Sequence, residues 1–250
     1  MSITRRTFVA GVAAGALARP VDLVAAPSGP PAPPDRFDPW LEVEPAALAH
    51  NVEVVAGLSG GRPILAVLKN NAYGLGLLQV ARILEPIPHI GGFAVVKVQA
   101  ALDLREAGVR KPVLHMGQFS DRDGTELVAR DIELSLTTEA DSPRAVQAGR
   151  RAGRPASVHA YLDTGMSRMG VPWHGAVEWL AGLEGSGLRV RGTFMAFTEE
   201  TDFDGEQLRR FLDVVQAVRS RGIDLGALHA ASSNGVFHLP EAHLDLSLIH

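Results

Sequence analysis

The sequence predicts an α/β fold, a (β/α)8 barrel of the TIM type, and three observations carry the prediction. From Trp40 onward short apolar runs alternate with longer amphipathic segments; eight such runs can be counted; and the strand-then-helix order is the one that parallel strands with helical crossovers require. Eight repeats between residues 40 and 250 suit a closed barrel better than an open doubly wound sheet. With 46% hydrophobic and 21% charged residues, the 250-residue chain has the composition of a globular protein large enough for one such domain.

The first 26 residues read as an export leader rather than as part of the fold. Arg5-Arg6 precedes an apolar stretch, Phe8 to Ala18, that ends in Ala16-Leu17-Ala18, the pattern of a twin-arginine signal with a small-residue cleavage site. Cleavage after Ala18 or after Ala26 is compatible with the pattern, and a basic tail on a buried helix is the plainer alternative. The stretch is too short for a mature membrane span, and without cysteine there is no lipoprotein anchor. Residues 27–39 hold Pro27, Pro30, Pro31, Pro33, Pro34 and Pro39, which favours an extended linker. The barrel domain is expected over 40–250, in an exported protein of the periplasm or exterior.

The strand candidates are Ile64–Leu68, Gly92–Val96, Val113–Met116, Ile132–Leu136, Val158–Leu162, Val190–Phe197, Ala227–Ala231 and Leu244–Ile249. Helical period is clearest in Gln99–Ala107 and Gln207–Arg221, where Leu208, Phe211, Leu212, Val215 and Val218 share a face. Gly108, Gly153 and Gly222 stand just past helix ends, where a left-handed residue is wanted. One further extended run, Trp40–Glu44, precedes the first helix and has no evident partner. A net charge of −4 with scattered basic residues argues against a nucleic-acid partner. The absence of cysteine excludes disulfides, thiolate metal sites and cysteine nucleophiles, and no metal is expected.

Three segments carry chemistry. Ile64-Leu65-Ala66-Val67-Leu68-Lys69-Asn70-Asn71-Ala72-Tyr73-Gly74-Leu75-Gly76 sets a lysine at the end of a buried strand, at the barrel mouth, where desolvation lowers an amine pKa and leaves it able to attack an aldehyde. The plain alternative is a lysine that ends a strand and snorkels to solvent. Leu162-Asp163-Thr164-Gly165-Met166-Ser167-Arg168-Met169-Gly170 follows another strand; Asp163 and Thr164 can fix a turn, and Arg168 offers a planar guanidinium to an anionic oxygen. Alone, such a turn with a nearby arginine is usually just a polar loop. His229-Ala230-Ala231-Ser232-Ser233-Asn234-Gly235 brings hydroxyls to a third strand end, for a phosphate or for a helix N-cap.

Together these segments resemble the alanine racemase family of fold-type III pyridoxal-phosphate enzymes. Ala66–Gly76 resembles its A-V-x-K-x-x-A-Y-G-x-G segment, Asp163–Gly170 its D-T-G-M-x-R-x-G segment, and His229–Ser233 its H-x-x-N-S segment, in order from Trp40 to the end. The resemblance implies that pyridoxal 5′-phosphate is the cofactor and that Lys69 forms its internal aldimine and acts as one of two racemisation bases. It further implies that Tyr73 and Ser233 hold the phosphate and that Arg168 hydrogen-bonds the phenolic oxygen. A small amino acid, alanine first, is the implied substrate.

Four departures qualify that expectation. Ala196 stands where the family carries a histidine that packs over the cofactor ring. Tyr161 replaces a lysine that orients Arg168, and Ser232 replaces the asparagine of the third segment. After His250 the family continues into a β-rich domain that supplies the opposite-face tyrosine across a head-to-tail homodimer; this domain is expected to be absent here and the dimer to be weakened with it. Leu248, or His250 on a shifted register, falls where an arginine would face the pyridine nitrogen. A broad-specificity racemase and a non-catalytic cofactor-binding barrel are the alternatives, and Tyr161 or His229 is the candidate for a second base within this chain.

Overall fold

The computed structural model describes residues 41–230 and 232–249; the expected leader, the proline-rich linker, Trp40, Ala231 and His250 lie outside them. Nine strands are formed among these residues: β1 Ile64–Val67, β2 Ile90–Val95, β3 Val113–His115, β4 Glu133–Leu136, β5 Ser157–Asp163, β6 Val171–Pro172, β7 Arg189–Phe194, β8 Ala227–His229 and β9 Ser247–Ile249. Every pairing is parallel, in the order β8-β7-β5-β4-β3-β2-β1-β9, and a bridge between His229 and Leu246 brings the two edges together. The two-residue β6 only extends the end of β5. The eight remaining strands coincide with the eight apolar runs, so the ring is the barrel that the repeat count predicts.

The helices are α1 Pro45–Leu58, α2 Leu77–Leu84, α3 Val98–Glu106, α4 Asp121–Ala129, α5 Asp141–Ala152, α6 Ala176–Ala181, α7 Thr201–Arg219 and α8 Ser233–His238. Their starts have local causes. Ser120 accepts the Asp123 amide while Asp123 accepts the Ser120 amide, a reciprocal capping box for α4. The buried Asp141 carboxylate accepts the amides of Thr137 and Thr138 at 2.9 Å each and pairs with Arg144. Gly108, Gly153 and Gly222 all take positive φ at helix ends, as their positions predict.

Two details concern element starts. Among the described residues Leu41–Glu44 pairs with no strand edge, in keeping with a run that had no evident partner, and Pro45, which suits a first helical position, opens α1 directly afterwards. That helix lies outside the seam between β9 and β1, with Val52, Val55 and Ala56 in the core, so a helix preceding the first strand covers the junction. The helix expected from Gln207 begins six residues earlier, at Thr201. Its first turns are polar and hide their period: Asp204 and Gln207 are buried because they bind the preceding loop, Gln207 Oε1 accepting the Thr198 amide at 2.9 Å.

Inside the barrel the two halves differ. Leu65, Val67, Ala94 and Leu114 pack with Met116, Leu246 and Leu248 on the β9-to-β3 side. The other side holds a polar and aromatic column. Glu133 meets His159 Nε2 at 2.9 Å, His159 Nδ1 meets His229 Nε2 at 2.9 Å, and Phe194 stacks on both His229 and Tyr161, with centroids 4.7 and 4.4 Å away. Residue 192 is glycine because a Cβ there would sit 2.6 Å from His159 Nδ1 and 2.8 Å from the Ala227 carbonyl. No helix among the described residues is long and apolar enough to cross a membrane.

Candidate functional site

Lys69 lies two residues past β1, and the chain leaves it in an unusual way. Asn70, Asn71, Ala72 and Tyr73 all adopt positive φ, 52°, 58°, 51° and 56°, a full left-handed turn. Each L-residue so placed costs about 1–2 kcal/mol, least for asparagine. Local bonds offset that cost: Asn71 Oδ1 accepts the Leu77 amide at 2.8 Å, and the Asn71 carbonyl accepts the amides of Gly74 and Gly76. The turn stops β1 abruptly and leaves Lys69 half-buried at the mouth with Nζ 5.7 Å from the centre of the Tyr73 ring. Burial lowers the Lys69 pKa, the Arg168 charge lowers it further, and Glu199 partly opposes both.

Arg168 follows β5. Asp163 Oδ1 accepts the amides of Gly165 and Ser167 at 3.0 Å each, so the aspartate fixes the turn. The Thr164 carbonyl accepts from Arg210 at 2.9 Å, which ties the turn to α7. Tyr161 is only 5% exposed, and burial raises its hydroxyl pKa while the neighbouring Arg168 opposes the shift through charge and a hydrogen bond. Tyr161 is thus a buried neighbour of the guanidinium.

A cavity of about 320 Å³ opens at the C-terminal ends of the strands. Lys69, Arg168, Thr198, Glu199 and Ser232 provide its polar lining, and Leu248 and Ala196 are among its apolar walls. The structure thus brings Lys69 and Arg168 together. Tyr73 instead borders a separate apolar cavity beneath α1 and is 46% exposed beside the lysine. Ser233 opens α8, and its neighbour Ser232 is the hydroxyl on the cavity wall; Ser232 also accepts the Gly235 amide as N-cap. The two readings of that third segment, N-cap and ligand-facing hydroxyl, meet in one residue.

The sequence matches a family model described as alanine racemase, N-terminal domain, over residues 43–247. The chain belongs to the alanine racemase family. The alanine racemase of Desulfosudis oleivorans is 31% identical over 228 residues, covering 84% of this chain and 57% of that protein. That of Syntrophobacter fumaroxidans is 33% identical over 215 residues, covering 83% and 56%. The solved alanine racemase from Streptomyces coelicolor A3(2) has a TM-score of 0.75 at 29% identity, over 82% of this chain and 57% of that one. The Clostridium difficile 630 structure, at 21% identity and TM-score 0.77 over 81% and 55%, is alike in fold. The chain therefore spans a little more than half the length of these relatives. Members of the alanine racemase family use pyridoxal 5′-phosphate.

The cavity fits that cofactor at its aldehyde and oxygen-bearing sides: an amine that burial leaves less protonated, a guanidinium, and hydroxyls converge on one space. Its other walls are plainer. Leu248 lines the cavity and offers no donor, and Ala196 offers no ring. Neither candidate for a second base reaches the cavity wall: Tyr161 is stacked beneath it, and His229 is fully buried in the column. Glu199, which belongs to none of the three motif segments, is the carboxylate that the wall carries. Its place in the loop after β7 was its only signal, since strand-end loops line the mouth of any such barrel.

Proposed function

We propose that the chain is the cofactor-bearing part of a pyridoxal-phosphate-dependent amino-acid racemase, acting on alanine. The observation that supports the reading best is the convergence of Lys69 and Arg168 on one cavity at the strand ends. Bound there, the cofactor supplies an electron sink for the α-carbon of an amino acid. The chain's own residues would do the rest. The Lys69 amine, neutral more often than an exposed lysine, holds the cofactor and takes or returns a proton at the substrate α-carbon. Arg168, with Tyr161 beside it, would bind the phenolic oxygen, and the hydroxyls of Tyr73 and Ser233 the phosphate.

Incubation with pyridoxal 5′-phosphate and borohydride is expected to place the label on Lys69; a label on Lys97 or Lys111 would overturn the assignment. A racemisation assay over several L-amino acids then separates an alanine enzyme from a broad-specificity one. The apolar Leu248 and small Ala196 on the cavity wall favour one second reading, a barrel that binds the cofactor without acting, which would show neither α-proton exchange nor racemisation. Export by the twin-arginine route, read from Arg5 and Arg6, belongs to the same proposal: a reporter fused to residues 1–26 should be exported, and Lys at both positions should block it.

A further inference from the structure

Gln207 lies behind the cavity wall, wholly buried on α7. Its Oε1 accepts the Thr198 amide at 2.9 Å and the Thr198 hydroxyl, shared with Asp204, at 3.0 Å. Its Nε2 donates to the Thr164 hydroxyl oxygen and to the Ala196 carbonyl, at 3.3 Å each. A carboxamide accepts two bonds and donates two, so its whole capacity is used. A backbone amide can only donate, so Thr198 also fixes which end of the carboxamide is oxygen.

These partners belong to two loops that build one side of the cavity. Thr164 opens the turn after β5 that leads to Met166 and Arg168, while Ala196, Thr198 and Glu199 follow β7. Asp163 accepts two amides within the turn, which makes it a rigid unit. Other residues of α7 hold one loop each: Arg210 donates to the Thr164 carbonyl, and Asp204 accepts the Glu199 amide. Gln207 bonds to both. Removing one end of a buried, fully used carboxamide leaves its remaining partners unmatched, so the link resists movement. We propose that Gln207 is a positioning residue, which keeps the Arg168 turn in register with the loop after β7 and so sets where the guanidinium meets an anionic ring oxygen. The inference rests on the proposed function in naming that oxygen as the phenolic oxygen of pyridoxal 5′-phosphate.

The test uses the full chain with Gln207→Met, which keeps the side-chain length and removes all four bonds, and Thr164→Val, which removes the hydroxyl on the turn. Affinities for pyridoxal 5′-phosphate and for 3-deoxypyridoxal 5′-phosphate, which lacks the ring oxygen, are read from the saturation of reductive labelling at Lys69. Gln207→Met and Thr164→Val should each weaken binding of pyridoxal 5′-phosphate by about three- to tenfold, and the double variant should bind no worse than Gln207→Met. Affinity for the deoxy compound should change by about twofold or less, as should that for pyridoxal 5′-phosphate in an Arg168→Ala background. An equal loss for both compounds, or a loss undiminished in Arg168→Ala, would mean that Gln207 only stabilises the fold, and would overturn the inference. Unchanged affinity would overturn it too. Hydrogen exchange in segments 163–170 and 195–199, which needs no ligand, should quicken in Gln207→Met, and unaltered exchange in both would count against the link. If Gln207→Met does not fold, Thr164→Val carries the same comparisons. Failure of the unaltered chain to take any label at Lys69 would count against the proposed function, while the exchange arm would still decide whether Gln207 holds the turn.

Discussion

The chemistry of Lys69 comes from its neighbours. A solvent-exposed lysine is almost wholly protonated at neutral pH, but burial and the Arg168 cation both disfavour its charge. The rate of its labelling by pyridoxal 5′-phosphate should therefore rise with pH along a curve whose midpoint lies below that of an ordinary lysine. Arg168→Ala removes one of the two lowering influences, so the midpoint should move up. Labelling at pH 7 should then slow, because a smaller fraction of the amine is neutral once its pKa rises. A pH profile of labelling, recorded for both proteins, checks the sign. An unmoved midpoint would show that Arg168 does not act on the amine.

At the scale of elements, the left-handed turn after β1 aims the site. Asn71 does two jobs there: its side chain accepts the Leu77 amide at the start of α2, and its backbone sits at φ 58°, which asparagine tolerates better than alanine. Asn71→Ala should lower stability by about 1–2 kcal/mol, the cost of losing a helix-start acceptor together with a poorer left-handed residue. It should also slow labelling of Lys69, because the turn sets where the lysine leaves the strand. Urea melts and labelling rates measure the two effects. A destabilised variant with unaltered labelling would make the turn a stability device alone. The identity of this element was not legible in sequence: Lys69, Tyr73 and Gly74 stood out, but the left-handed path of four consecutive non-glycine residues contradicts local preference and is imposed by the bonds to α2.

Two predictions belong to the whole molecule. The column Glu133–His159–His229 crosses the barrel interior, and burial, then the nearby His159, hold the His229 pKa well below the ordinary histidine value of about 6.5. Arg191 also faces the column through Glu133. In the unfolded chain His229 takes up a proton below about pH 6.5 while in the folded chain it stays neutral, so stability falls with pH there, by at most about 1.4 kcal/mol per pH unit from this residue. His229→Leu should be less stable than the unaltered protein at pH 7, and the gap should narrow between pH 7 and pH 5. A constant gap in thermal midpoints would contradict the assignment.

The second concerns stereochemistry. Lys69 reaches the cavity, whereas Tyr161 and His229 do not line it, so this 250-residue chain, assayed alone with cofactor in deuterated water, should exchange the α-proton of alanine faster than it racemises it. Loss of a positioned acid or base costs about 10²- to 10⁴-fold in rate. Racemisation keeping pace with exchange would require a second base on the cavity wall, and Glu199 would be the residue to test.

The sequence by itself determined the barrel and the lysine. Both rest on local pattern: apolar runs at a repeated interval, and a lysine at the end of one of them, are readable because burial imposes a period on the chain. Tertiary structure alone decided the rest. Among the described residues Leu41–Glu44 meets no strand edge and forms no strand; Ser232 both caps α8 and lines the cavity, two roles that local pattern leaves as alternatives. Tyr161 and His229 have the right chemistry for a base and the wrong burial. Glu199, with no motif around it, meets Ser232 across 33 residues of chain, a contact that exists only once β7 and β8 lie side by side.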